Sequence, residues 1–376
     1  MPEGGKIDSK QAIFLMVSMV LPTTFLFVTS AIAHLARQDG WISILLATLT
    51  ALLIAWLVAN LSRRFPGKTL FQFPEVILGR WPGKVVALLY IWWYIQVSSE
   101  VLREFGSFMV SAFMPDTPLI VFELLIMAIA AYTVRNGLEV FTRINQIVLP
   151  LILGSFVILI FLATPEMNLK RLLPVFIENG AAPVIKGAVM PAAWIGNIVT
   201  MAVLIPYLNK AKEAYKIAVS ATLITSSFLI STFIADISIF GPEVSAGWFF
   251  SALNGIRMIH LANFLERMEP IAMTIWIAGG LVKISVFYWV TVLGSAQWLE
   301  LKDYKPLVLP VGVILLALSI MAHDSIMDLL TFLGTIVIFQ DLIIFQVGIP
   351  LLLLVVAIIR GQVGTGIEEK EGGKQG

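Results

Sequence analysis

The sequence predicts an all-α polytopic membrane protein with ten transmembrane helices. They form two five-helix repeats of opposite orientation, a 5+5 inverted repeat with broken helices 1 and 6. Three observations lead there. Of 376 residues, 59% are hydrophobic and 13% charged, with a mean hydropathy of +0.92; an ordinary soluble domain carries about 25% charge. The apolar residues come in runs near or above about 20 residues, the length that crosses ~30 Å of hydrocarbon, not in the short alternating segments of a β-barrel. Finally, two of those runs are interrupted by Pro, Gly and hydroxyl residues at corresponding places in the two halves.

The spans fall at about 11–35, 41–61, 85–113, 118–134, 144–163, 186–207, 214–240, 267–298, 307–323 and 337–359. "AIAH" (31–34) looks like a signal-peptidase site, but the apolar stretch before it is far longer than a signal-peptide core of about 7–15 residues, so span 1 is expected to stay uncleaved. With the N-terminus inside, the inner segments hold 17 Lys and Arg, and the outer ones hold 6: Arg37, Lys170, Arg171, Lys186, Arg257 and Arg267. The bias fits the positive-inside rule with both termini cytoplasmic. The chain then divides into an N-terminus (1–10), a first repeat (11–163), an outer loop (164–185), a second repeat (186–359) and a polar, Gly-rich tail expected to be disordered (360–376). Segments 67–84 and 245–266 mix apolar and basic residues and read as interfacial helices in the membrane plane.

Span 1 carries "LPTTF" (21–25), and span 6 carries "VMPAAWIGNIV" (189–199). A proline removes a backbone hydrogen bond, and irregular backbone at membrane depth survives only where it faces a cavity or packed protein. Either motif alone is an ordinary kink. Together, at matching positions, they point to a site.

Charge inside hydrocarbon costs roughly 2.5–3.5 kcal/mol at a helix centre, so it faces a partner or a cavity. In span 3, Glu100 and Arg103 have the spacing of an ion pair on one helix face, with Glu104 beside them. Tyr94, Val97 and Ser98 form a stripe that either packs or faces spans 1 and 6. Lys283 lies deep in span 8, about fourteen residues beyond Glu269 at the span's mouth; it is expected to replace a bound cation, carry a proton, or snorkel to the cytoplasm. Asp236, Asp341 and Glu123 sit near span ends and are expected to be solvated.

The sequence has no cysteine and three histidines, His34, His260 and His323, which are far apart. Disulfide, thiolate and cysteine-metal chemistry are therefore excluded, and no catalytic residue, metal site or cofactor is expected. "GKT" (67–69) copies the end of a phosphate-binding loop, but Ser62 stands where the first glycine belongs. The balanced charge gives no indication of a nucleic-acid partner.

Several motifs, taken in order, carry a resemblance over about residues 8–360: "LPTTFLF", "FPGKTLFQFPEVILGRWPGK", "LIPYLNKAKEAYK", "IHLANFLERMEPIAMTIWIAGGLVK" and "IPLLLLVVAIIRG". The chain resembles the GerAB-like B subunits of bacterial spore germinant receptors, in the amino acid/polyamine/organocation superfamily. The resemblance implies a LeuT-like fold. It also implies a receptor in the spore inner membrane that binds a small nutrient, an amino acid first of all. That receptor would signal through an A-type membrane subunit and a C-type lipoprotein. By the same analogy the site comprises Thr23, Thr24 and Phe25 of span 1; Tyr94 and Ser98 of span 3; Trp194, Ile195, Gly196 and Asn197 of span 6; and Thr274 or Ile277 of span 8. Freed amides near Pro22 would take a carboxylate. Related subunits often carry an acid near the span 6 glycine; here Asn197 stands there, which permits a neutral or sugar-like ligand. The alternative is a secondary transporter that moves an amino acid with a proton, with Lys283 or Glu100 as the coupling group. A structural scaffold is a third reading.

Overall fold

The computed structural model describes residues 3–176, 180–258 and 269–361; the side chains of residues 25, 26, 269, 271, 272 and 336–338 lie outside that description. Each of the ten expected spans coincides with a helical stretch, and no β-strand occurs among the described residues. Seven helical stretches are long and apolar enough to cross a membrane alone, and the pair Lys305–Met321 and Ile326–Thr335, bent by 103°, adds an eighth. Span 4 is short (Leu119–Arg135, 17 residues), and span 1 is interrupted. The helix Ile326–Val337, which leads into span 10, was not among the expected spans.

Both interruptions are present, as changes of helical pitch. Span 1 runs Ser9–Thr23, then a π-helical turn Thr24–Val28, then Thr29–Ala36. Pro22 starts the irregularity because its ring has no N–H and crowds the preceding turn. Two local groups take up the disturbance. Thr24 Oγ1 donates back to Val20 O at 2.6 Å, and the indole of Trp276 in span 8 donates to Pro22 O at 3.1 Å. Span 6 tightens instead: Ala181–Ile195 passes into a 3₁₀ segment, Gly196–Thr200.

Packing follows the inverted repeat. Span 2 packs on span 6, and span 7 on span 1. Span 4 packs on span 8, and span 9 on span 3. Span 5 packs on span 1, and span 10 on span 6. Exchanging each span with the one five places later turns the first member of each pair into the second. Spans 3 and 8 pack on each other, which the same exchange requires. The four most central spans are therefore 1, 3, 6 and 8.

One end of the bundle carries both described termini: Lys6 lines a cavity with Arg63 and Gly67, and Arg360 donates to Ile77 O. At this end Glu3 accepts from Leu138 N (3.1 Å), the Trp289 indole (3.3 Å) and Tyr304 OH (3.2 Å), and so straps the N-terminal segment under both repeats. The segment 67–84, expected as an interfacial helix, packs one face on the bundle and leaves Val76 and Trp81 exposed. Leu70, Phe71, Phe73 and Ile77 are all buried, and Thr69 bonds Gln297 of span 8. At the opposite end the expected interfacial segment 245–266 contains the helix Ser251–Arg257, with Phe250 and Leu253 buried against the bundle. Residues 259–266, including Glu266 and His260, and the tail 362–376 lie outside the described residues.

Candidate functional site

A small cavity lies where the interrupted span 6 meets spans 3 and 8, beside the break of span 1. Its walls come from Val97, Glu100, Val101 and Glu104 of span 3, Ala193, Trp194 and Asn197 of span 6, Lys283 of span 8, and Leu333 and Asp341. Its free volume is about 20 Å³, enough for a water molecule and too little for an amino acid. Aromatic clusters lie on either side of it along span 3, at Tyr94 and at Phe108. Toward the terminus-bearing end, Phe71 packs on Tyr94 with ring centroids 5.8 Å apart. Toward the other end, Phe108 packs on Phe250 at 5.1 Å and on Trp276 at 5.2 Å, and Phe27 meets Phe250 at 5.5 Å.

Lys283 is 2% exposed and donates to Thr23 Oγ1, directly below the π turn. Its amine therefore stays in the centre and does not snorkel. Glu104 faces it across the cavity, close enough to interact electrostatically. Glu100 accepts from Gln96 at 2.9 Å, which in turn accepts from Gln340 at 2.7 Å. The expected Glu100–Arg103 ion pair is not formed. Arg103 instead donates to the carbonyls of Ser319 (3.3 Å) and His323 (2.7 Å), at the end of span 9. Those carbonyls are the free C-terminal acceptors of a helix, which attract a cation.

The three acids expected to be solvated are all buried. Asp341 is 4% exposed and accepts from the Trp93 indole at 2.7 Å. It sits on a π-helical stretch, Ile338–Gly348, that brings it inward. Asp236 accepts from Ser251 at 2.7 Å, and Glu123 from Ser319 at 2.8 Å. Proximity to a span end misled in each case: the segment after span 7 folds over Asp236, while spans 9 and 3, distant in sequence, cover Glu123 and Asp341. Replacing Asp341 by Leu is expected to destabilise the protein by about 1–3 kcal/mol, since it strands the buried indole N–H, whereas Asp341→Asn keeps the acceptor and costs little. Thermal unfolding of the two variants checks this.

The analogy-based residues separate into two groups. Thr23, Trp194, Asn197 and Lys283 meet at or beside the cavity. Thr24 and Ile195 are buried nearby, and Thr24 is occupied by its bond to Val20. Gly196 presses on Gln346 of span 10, whose amide donates to Ala193 O (2.8 Å) and Asn197 Oδ1 (3.4 Å). Tyr94 bonds Thr200 at 3.0 Å, and Ser98 bonds Thr291 at 3.2 Å; both lie one layer toward the terminus-bearing end. Thr274 is exposed and returns its hydroxyl to Pro270 O at 2.8 Å. The face of span 8 that meets span 1 carries Trp276, Gly279 and Lys283, at helical spacing, and Thr274 points away from it; Ile277 is half-buried at its margin. The side chain of Phe25 lies outside the described residues. Glu104, Asp341 and Gln346 are the site residues that sequence reasoning did not assign. The available signal was that three polar side chains in apolar spans all required partners.

Comparison with known proteins places the chain among spore germination proteins. The sequence profile of the family described as "Spore germination protein" matches residues 6–326. The chain is 25% identical to spore germination protein KB of Bacillus subtilis over 360 residues, covering 95% of each. It is 24% identical to spore germination protein YndE of the same organism, covering 94% of this chain and 96% of that one. Two solved transporters share the fold at a TM-score of 0.62. One is Mhp1, a nucleobase-cation-symport-1 family transporter in a closed conformation with bromovinylhydantoin bound, at 13% identity over 89% of this chain and 78% of that one. The other is MhsT in complex with L-phenylalanine, at 16% identity over 93% of this chain and 97% of that one.

Proposed function

The chain belongs to the family of spore germination proteins, and we propose that it is the nutrient-sensing membrane subunit of a germinant receptor. In this reading a small amphiphilic nutrient, an amino acid first, binds at the midplane between the interrupted spans 1 and 6. The observation that carries it is the convergence of Lys283, Glu104 and Asn197 on one cavity, with Lys283 bonded to Thr23 at the break of span 1. A ligand carboxylate would take Lys283 and Thr23. A ligand ammonium would take the side-chain oxygens of Asn197 and Glu104. Entry requires the Phe71–Tyr94 or the Phe108–Phe250 layer to part, so binding would shift the bundle between arrangements of these layers. That shift is what A-type and C-type partner subunits in the spore inner membrane would sense, with both termini on the core side.

A second reading, a proton-coupled amino-acid transporter, is favoured by one observation. Glu100, Glu104 and Asp341 line the same cavity as a single lysine, the arrangement of a group that loads and releases a proton.

The test is thermal unfolding of the purified chain against a panel of amino acids and sugars. A ligand at 100 times its Kd is expected to add about 2.7 kcal/mol of stability, and a Trp194→Ala variant is expected to lose the effect. The receptor reading expects a hit without uptake into proteoliposomes; uptake that follows a pH gradient favours the transporter. A panel without a hit, repeated with the partner subunits and still without one, overturns the site.

A further inference from the structure

The terminus-bearing end of the bundle holds a second cavity, of about 1060 Å³, between the end of span 2 and the turn joining spans 6 and 7. Its walls carry four cations, Lys6, Arg63, Lys210 and Lys212, and one acid, Glu213. That acid is already engaged: it accepts from Ser9 Oγ at 2.5 Å and pairs with Lys210 at 3.4 Å. Lys6 reaches Pro206 O at 3.1 Å. Arg63 and Lys212 are exposed and, among the described residues, make no hydrogen bond or ion pair.

Two further features adjoin this cavity. Ser62, one of its lining residues, is 2% exposed, and its hydroxyl has no hydrogen-bond partner. The other hydroxyls of the same helix are engaged: Thr48 returns to Ile44 O at 2.7 Å, Thr50 to Leu46 O at 3.1 Å, and Ser43 donates to Val184 O at 2.8 Å. Ser62 is not, which leaves a buried O–H donor free. Beside it, span 7 begins with the turn Ala211–Glu213 leading into Ala214–Phe240. Its first amides carry the partial positive charge of a long helix's N-terminus.

We propose that this cavity is a binding site for a phosphate-type anion, held by Arg63 and Lys212, the Ser62 hydroxyl and the N-terminal amides of span 7. The volume accommodates a phosphate group with its substituent. Two sources offer that chemistry: the headgroup of an anionic phospholipid in the adjoining leaflet, and a soluble phosphate compound. The site is separate from the central cavity, and shares no lining residue with it.

The experiment is thermal unfolding of the full chain in two arms. One compares inorganic phosphate with chloride at matched ionic strength. The other compares nanodiscs containing phosphatidylglycerol with nanodiscs of phosphatidylcholine. A raised Tm is expected in at least one arm; phosphatidylglycerol alone identifies the headgroup, and inorganic phosphate alone the soluble source. Lys212→Gln, on an exposed turn that should not disturb folding, and Ser62→Ala are each expected to weaken the apparent affinity about tenfold, the effect of one charge-assisted hydrogen bond. Arg135→Gln, outside the cavity, is expected to leave it unchanged. No shift in either arm overturns the site. So does a shift that Arg135→Gln reduces as much as Lys212→Gln, which would make it general surface electrostatics.

Discussion

Gly196→Leu is expected to abolish ligand-induced stabilisation and the germination response while the protein still accumulates in the membrane. A Cβ at this position would collide with the side-chain carbonyl of Gln346 and lie 2.8 Å from its Cδ and 3.2 Å from Ile54 Cδ1. Gln346 cannot step aside freely, because its amide bonds Ala193 O and Asn197 Oδ1. Moving it releases Asn197, whose side chain lines the central cavity. Forcing a branched side chain into such a contact costs about 1–3 kcal/mol. The decisive variant is therefore the pair Gly196→Leu with Gln346→Ala, which removes the obstruction. It is expected to regain most of the lost stability in thermal unfolding while ligand binding stays impaired, because Asn197 loses its partner. Gly154→Leu in span 5, where an added Cβ meets nothing within 4 Å, is the control expected to behave as wild type. A Gly196→Leu protein with full stability and a normal ligand shift would place the site elsewhere.

The bundle itself could be read from the sequence because hydrocarbon imposes a length and a composition on each span, and the breaks at Pro22 and Gly196 could be read because they fall at matching places in the two halves. What those breaks become could not be read. The π turn at Thr24–Val28 and the 3₁₀ segment at Gly196–Thr200 depend on partners that arrive from far along the chain, such as Trp276 on Pro22 and Gln346 on Ala193. The same limit explains Asp341, Asp236 and Glu123. Each is a few residues from a span end in sequence, and each is covered by a segment whose position is set by tertiary packing. Arg103 shows the converse: helical spacing made a local pair with Glu100 plausible, but the open C-terminal carbonyls of span 9 offer it neutral acceptors. Rotation about a helix axis was the remaining gap. Trp276, Gly279 and Lys283 share one face of span 8, which excludes Thr274, and only the packing of span 1 identifies that face.

Lys283→Met is expected to be among the most destabilising single changes in the bundle, by about 3–5 kcal/mol, because it leaves buried carboxylates without their cation. Among the described residues Lys283 is the single basic one lining the central cavity, against Glu100, Glu104 and Asp341, and Met fills nearly the same volume, so the loss would report charge and not packing. Glu104→Gln alone is also expected to destabilise, since it removes a negative charge that interacts with the buried lysine. If the two side chains act as a unit, the double variant Lys283→Met with Glu104→Gln recovers much of the loss, and a double-mutant cycle on thermal unfolding shows a coupling of 0.5–3 kcal/mol, the range for residues in contact. Additive losses would mean that Lys283 is held by Thr23 and the helix backbone alone. The double variant then separates the two functional readings. A receptor whose lysine only anchors a ligand carboxylate loses nutrient affinity at every pH. A transporter whose Lys283–Glu104 pair carries the proton retains exchange of substrate across proteoliposomes but loses accumulation driven by a pH gradient. The same two residues give opposite signatures because anchoring needs a fixed charge, whereas coupling needs a charge that comes and goes.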